Sequence, residues 1–237
     1  MIELKNLTVR FGGVTALDAV SAVFTAPVSG IIGPNGAGKT TTMNVISGFL
    51  SADGSIHYAG TDITRLLPHQ RARWGLRRSF QREQIADDLS VIDNLRVMLD
   101  TLPGSSKQKK EEAQKALAVC GLERQASLLA ATLNTYERRL VDIARCLIGQ
   151  PKIVMLDEPA GGLTQDETHH LGDLILRIHP LTGASILLID HDVDLISRIC
   201  EQTLVLDFGR RIALGPTQQV LEDPKVQAAY LGIEEVT

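Results

Sequence analysis

Cysteine is scarce in this chain: Cys120, Cys146 and Cys200 lie far apart and form no C-x-x-C pair. An odd, dispersed set excludes a disulfide framework. Each falls in an apolar helical pattern, so buried, reduced thiols of a cytosolic protein are expected. Long apolar runs are missing too. The longest, such as "IVML" and "ILLI", fall far short of the roughly 20 residues a spanning helix needs. Any membrane role is therefore expected to come through a partner. There is no excess of Lys and Arg, and the formal net charge of −4 argues against a protein whose main task is coating nucleic acid. Repeats and low-complexity tracts are absent. The opening "MIELKNLTVRF" alternates like a strand and lacks the basic and apolar regions of a secretion leader.

What is present is a composition suited to a large core, with 44% hydrophobic and 22% charged residues over 237 positions. The segments "IEL", "LTVRF", "VSAVF" and "SIHY" read as strands in antiparallel pairing, with Asp53-Gly54 as a turn signal. Short apolar runs then recur as "SGIIG", "KIVMLD", "SILLID" and "TLVLD", separated by helical patterns, which suits a buried parallel sheet. Helical spacing is clear at Leu171, Leu174, Ile175 and Ile178, and at Ala113, Ala116, Leu117 and Cys120. "LPGSSKQKK" (Leu102 to Lys110) is the linker candidate, inside a mainly helical stretch from about 82 to 150. The expected class is α/β in one domain over 1–237. A core with an antiparallel β subdomain would take about 1–81 and 151–237, and an inserted helical subdomain about 82–150.

The strongest chemical signal is "GPNGAGKTT", the run Gly33, Pro34, Asn35, Gly36, Ala37, Gly38, Lys39, Thr40 and Thr41. It follows an apolar strand and precedes the helical pattern Met43, Ile46, Phe49, the context a phosphate-binding P-loop requires. Glycines let backbone N–H groups converge on a phosphate, and the helix N-terminus adds positive dipole. Lys39 would reach the β- and γ-phosphates of ATP, and the Thr40 hydroxyl would ligate Mg2+. In "IVMLDEP" an apolar strand ends in Asp157, placing a carboxylate at the C-terminal sheet edge where ligands of open α/β sheets bind. Asp157 would hold Mg2+ and the adjacent Glu158 would act as general base or orient a water. His191 follows the strand "SILLID" at the same edge, within expected reach of a γ-phosphate. Gln81, after "RRSF", is uninformative by itself.

The order and spacing of "GPNGAGKTT", "SFQ", "IVMLDEP", "AGGLT" and "LLIDHD" resemble the ATP-binding subunits of ABC transporters across essentially the whole chain. Within that family, "LTVRFGGVTALDAVS" and the ending "GRRIALG…VLEDPKVQAAYLG" resemble importers for branched-chain amino acids and for urea or short amides. The resemblance implies a RecA-like P-loop core with antiparallel β and helical subdomains, and ATPase activity with ATP and Mg2+. It makes Gln81 a metal- and water-sensing residue that is also a metal ligand, His191 a γ-phosphate contact, and Phe11 the aromatic that stacks on adenine. The stretch Gln84 to Asn94 would face the permease. The implied partners are membrane permease subunits, a second ATP-binding subunit in a head-to-tail pair and, indirectly, a solute-binding protein, with no nucleic acid. The implied place is the cytoplasmic face of the inner (cell) membrane. A soluble relative acting on DNA or the ribosome is the outlying alternative, resting on the basic stretch Arg71 to Arg82, which is expected to be a solvated face or permease contact.

The chain departs from that family's pattern. The signature, usually Leu-Ser-Gly-Gly-Gln, reads Leu133, Asn134, Thr135, Tyr136, Glu137, and Thr164 replaces a customary aspartate. Asn134 with Glu137 still makes a capping box. Thr135 and Tyr136, however, add side chains where bare backbone would meet phosphate. Glu137 brings a competing charge, worth about 0.3–1 kcal/mol against the helix dipole. Within about 4 Å of a phosphate charge it would cost roughly 4 kcal/mol at an effective dielectric near 20. A carboxylate folded back on Asn134 would cost much less. The expectation is an asymmetric dimer, or alternatively a nucleotide-binding, weakly hydrolysing regulatory subunit.

Overall fold

The computed structural model describes residues 1–100 and 102–231. In chain order the elements are β1 (Ile2–Phe11), β2 (Val14–Phe24), β3 (Val28–Ile32), α1 (Lys39–Ser47), β4 (Asp53–Tyr58), β5 (Thr61–Asp62), α2 (Pro68–Trp74) and β6 (Leu76–Arg78). They continue with α3 (Val91–Asp100), α4 (Ser106–Val119), α5 (Thr135–Cys146), β7 (Ile153–Asp157), α6 (Gln165–Thr182), β8 (Ser185–Ile189), α7 (Val193–Ile199), β9 (Gln202–Asp207), β10 (Arg210–Pro216) and α8 (Thr217–Glu222). The chain divides into two compact units, 1–72 with 185–237, and 73–184.

In the first unit, β1 pairs antiparallel with β2 and with β4, and β4 with β5. "IEL" and "LTVRF" are one strand interrupted by a bulge. Asn6 adopts φ 49°, the β1–β2 register slips between Leu4 and Leu7, and the Asn6 N–H donates to Ser21 Oγ at 2.8 Å. Asp53-Gly54 is not a hairpin turn. It opens β4, where the left-handed Gly54 lets its backbone press against Lys5 of β1. β3 runs parallel to both β8 and β9, and β10 returns antiparallel on β9. All five residues of β3 are buried, as expected of a strand covered on both faces. α1 stops at Gly48 (φ 82°), where the buried Arg71 guanidinium donates to the Val45 and Ile46 carbonyls at 2.6 Å each. Phe49 therefore lies beyond the helix and is 56% exposed rather than part of its apolar face.

In the second unit, β6 pairs parallel with β7, and α3, α4 and α5 pack on one another. Ile153, Val154, Met155 and Leu156 are fully buried, worth about 1.5–3 kcal/mol per large side chain. The expected linker is half as long as it reads. Ser105 caps α4 in a reciprocal box with Gln108, so 106–110 form that helix's first turns. The stretch Arg71 to Arg82 is only in part a solvated basic face: Arg73 and Arg82 are exposed, but Arg71 and Arg77 are buried, donating to backbone carbonyls. All three cysteines are free and buried. Burial pushes the Cys120 and Cys200 thiols up to about 12, so they stay protonated and unreactive. No described helix is long and apolar enough to cross a membrane.

Candidate functional site

The P-loop is shaped by close backbone approach. A Cβ on Gly33 (φ 148°) would lie 2.0 Å from the Leu206 carbonyl oxygen, and one on Gly38 (φ 103°) 2.8 Å from that of Ala16. These two positions admit only glycine, and they bring the loop against β9 and β2. The loop tightens through the Ala37 N–H on the Pro34 carbonyl at 3.1 Å and then opens α1 at Lys39. The helix has no acidic residue in its first turn, so nothing there opposes an anion. Lys39 curls over the loop, its Nζ donating to the carbonyls of Gly33 and Pro34 at 2.7 and 3.0 Å. Thr40 is exposed at the helix start.

The same unit carries His191 and Phe11. Ile31 of β3 pairs with Ile189 of β8, so Gly33 and His191 each lie two residues beyond a paired position, at one sheet edge. His191 is exposed between buried Asp190 and Asp192, whose carboxylate accepts the Leu195 N–H to cap α7. Phe11 ends β1 opposite Val14, and both are exposed. Phe208 escaped sequence reasoning. It is 85% exposed at φ 42° in the β9–β10 turn, and the next residue, Gly209, donates to the Ala37 carbonyl at 3.0 Å. An aromatic in a two-residue turn between strands was the available signal.

In the second unit, three of the residues 78–81 are laced to the end of β7. Arg78 Nη2 donates to Asp157 Oδ2 at 2.8 Å, with both side chains 5% exposed. The Ser79 N–H donates to the Met155 carbonyl at 2.9 Å, and Ser79 Oγ accepts the Asp157 N–H at 3.2 Å. The Phe80 ring stacks under the Arg78 guanidinium at 4.9 Å. Gln81 Nε2 donates to Glu158 Oε2 at 2.8 Å. Glu158 itself is held at φ 50°, a left-handed conformation costing a non-glycine residue roughly 1–2 kcal/mol. Gln81 is thus brought onto Glu158, next to Asp157. The role of Arg78 was not legible in the motif reading.

The signature stretch also lies in this unit. Asn134 Oδ1 accepts the Glu137 N–H at 2.8 Å, and Glu137 Oε2 accepts the Asn134 N–H at 3.1 Å. Glu137 Oε1 accepts from Gln125 Nε2 at 3.0 Å. Of the two orientations open for Glu137, the carboxylate takes the folded-back one. Thr135 is exposed and Tyr136 half-buried, its phenol pushed up by burial and then by Glu167. Thr164 caps α6 in its own box with Glu167, which accounts for a hydroxyl at that position.

A model of the ABC transporter family matches residues 21–161, spanning the P-loop, the signature stretch and β7. This chain belongs to the ABC transporter family. A second model, for the branched-chain amino acid ATP-binding cassette transporter, matches residues 210–236, of which those from 232 on lie outside the described residues. The cassette is 36% identical over 249 residues to the high-affinity branched-chain amino acid transport ATP-binding protein BraF of Pseudomonas aeruginosa, covering 98% of each chain. It is 35% identical to the lipopolysaccharide export system ATP-binding protein LptB of Acidithiobacillus ferridurans, over 92% of this chain and 91% of that one. Among solved structures, the ADP conformation of an ATP-binding cassette of an ABC transporter matches with TM-score 0.88 and 31% identity, over 98% and 99% of the two chains. The fold is that of ABC ATPase cassettes, and the chain is an ATP-binding subunit of that ATP-hydrolysing class.

Proposed function

We propose that this cassette powers an importer of a small solute, branched-chain amino acids first among the candidates, from the cytoplasmic face of the inner membrane. The observation that carries this reading is full-length similarity to BraF together with the branched-chain transporter match at 210–236. A polar metabolite such as urea or a short amide is the neighbouring possibility within the same class. The cassette would work against membrane permease subunits, with segment 84–94 facing them, and pair head-to-tail with a second ATP-binding subunit. A solute-binding protein would be an indirect partner.

In this reading the loop Gly33 to Thr41 cradles the ATP phosphates, with Lys39 leaving the Gly33 and Pro34 carbonyls for the β- and γ-phosphates. Phe11 stacks on adenine, and His191 contacts the γ-phosphate. Glu158, restrained by Gln81, orients or deprotonates the attacking water once that amide turns away. Core and inserted helical subdomain would divide near 82 and 150. The Thr40 hydroxyl, the Gln81 amide oxygen and the Asp157 carboxylate are hard oxygen donors suited to Mg2+, and Asp157 already accepts a cation in Arg78. When bound, Mg2+ neutralises charge on the transferring phosphoryl group.

Asn134 to Glu137 support an asymmetric pair. Glu137 is turned onto its own helix, so charge repulsion is the smaller penalty. Bulk at Thr135 and Tyr136, where the family pattern has glycine, is the larger one. The composite site built on this chain's P-loop would hydrolyse ATP opposite an intact signature, and the site completed by Asn134 to Glu137 would mainly bind it. A second reading, a nucleotide-binding regulatory half with dispensable hydrolysis, draws on the same signature. Purified alone the chain is expected to turn over ATP poorly and to gain activity with its partner subunit. Fast turnover as a homodimer contradicts the asymmetry.

A further inference from the structure

The buried Arg78–Asp157 pair has a consequence for how the cassette takes up its metal. Asp157 lies at the C-terminal end of β7, 4% exposed, and one of its carboxylate oxygens already holds a guanidinium at 2.8 Å. At such burial neither charge is screened by water, so the pair is tight and any second cation competes with the first. The guanidinium has an alternative resting place on the Phe80 ring, which it already faces at 4.9 Å. Arg78 and Phe80 flank Ser79, which is hydrogen-bonded on both sides to the strand, and Gln81 follows on Glu158.

We propose that Arg78 is a resident counter-cation of Asp157, holding the carboxylate in the metal-free cassette and yielding it when Mg2+ arrives with ATP. The inference rests on the reading of Asp157 as a magnesium-binding carboxylate. Arg78 is then a positioning residue: it sets how much Mg2+ is needed. Because it belongs to the segment 78–81, its release transmits metal occupancy to Gln81 and so to the Gln81–Glu158 bond. Removing the guanidinium leaves Asp157 with no competitor, so the metal binds more tightly although the ATP phosphates are held as before.

The test is calorimetric titration of Mg2+ into the full chain saturated with a non-hydrolysable ATP analogue. Wild type is compared with Arg78→Met and Arg78→Lys, and Arg78→Gln serves if the Met variant does not fold. The neutral variants are expected to reach half-saturation at about tenfold lower Mg2+, Arg78→Lys to stay within about threefold of wild type, and the metal-free affinity for the analogue to be unchanged. A neutral variant whose Mg2+ requirement is unchanged or higher overturns the proposal, because a purely structural ion pair would behave that way. Wild type that binds the analogue with no Mg2+ dependence removes the underlying assignment of Asp157, and the proposal with it.

Discussion

Asp142 lies one turn above the signature stretch in α5, 3% exposed, with Oδ1 3.5 Å from Arg145 Nη1 and Oδ2 without a hydrogen-bond partner. Burial pushes its carboxyl up to about 6 from an ordinary 3.8, and Arg145 and Arg139 only partly offset that. Arg139 is itself buried, 3.5 Å from Glu83, with Nε and Nη1 unpartnered, so it serves as a poor counter-ion. The sign follows directly. The folded state holds the Asp142 proton more tightly than the unfolded chain, so this group's stabilisation is complete below about pH 4. It is lost as pH rises through about 6 and is flat above that. About two pH units at 1.36 kcal/mol each set an upper limit of ~3 kcal/mol. Asp142→Asn removes the titration while leaving a constant offset. Urea unfolding followed by the fluorescence of Trp74, the chain's single tryptophan and in the same unit, measures both proteins from pH 4.5 to 7.5. Relative to wild type, the Asn variant should gain about 2 kcal/mol over that range, the rest of the limit lying below pH 4.5. Parallel curves, or a gap of opposite sign, would show that Asp142 ionises without cost and refute the reasoning.

The other expectations concern the loop and the signature cap. Gly33→Ala places a methyl group 2.0 Å from a backbone carbonyl and should cost at least about 3 kcal/mol or prevent folding. Gly36→Ala, at φ 81° with nothing within 4 Å, should cost only about 1 kcal/mol. Thermal melts of the two variants side by side check the contrast. Asn134→Ala removes one half of the α5 capping box and should lower stability by about 1 kcal/mol. It should leave the ATP affinity of this chain's own P-loop unchanged, as read by titration of a fluorescent ATP analogue.

Strands β3, β7, β8 and β9 were legible because each holds a short apolar run, and the P-loop because Gly33 and Gly38 are dictated by backbone approach. Gly33 against Leu206 is the physical content of that motif. Most of what was misread depended on contacts distant in sequence. Asp53-Gly54 carries turn chemistry, yet its glycine is needed for the approach of β4 to Lys5 and Asn6. "SSKQKK" reads as polar linker, and only the Ser105–Gln108 box makes it a helix start. Arg71, Arg77 and Arg78 look like part of a basic face because a sequence shows charge and not burial. Arg71 serves the carbonyl end of α1, and Arg78 serves a carboxylate 79 positions away. Glu137 was read correctly in kind, since Asn134 and Glu137 stand at capping-box spacing. Its other carboxylate oxygen is held by Gln125, twelve residues upstream, which no local pattern announces.

The central claim is that the hydrolytic site of the working pair is the one built on this chain's own P-loop, Asp157 and Glu158. The direct measurement is ATP turnover by the purified complex of this cassette with its partner subunit and permease, with Glu158→Gln in this chain, or the matching substitution in the partner. The account predicts that Glu158→Gln here stops turnover while leaving nucleotide bound, and that the partner's substitution leaves most of it. Turnover that survives Glu158→Gln and fails with the partner's substitution would contradict it.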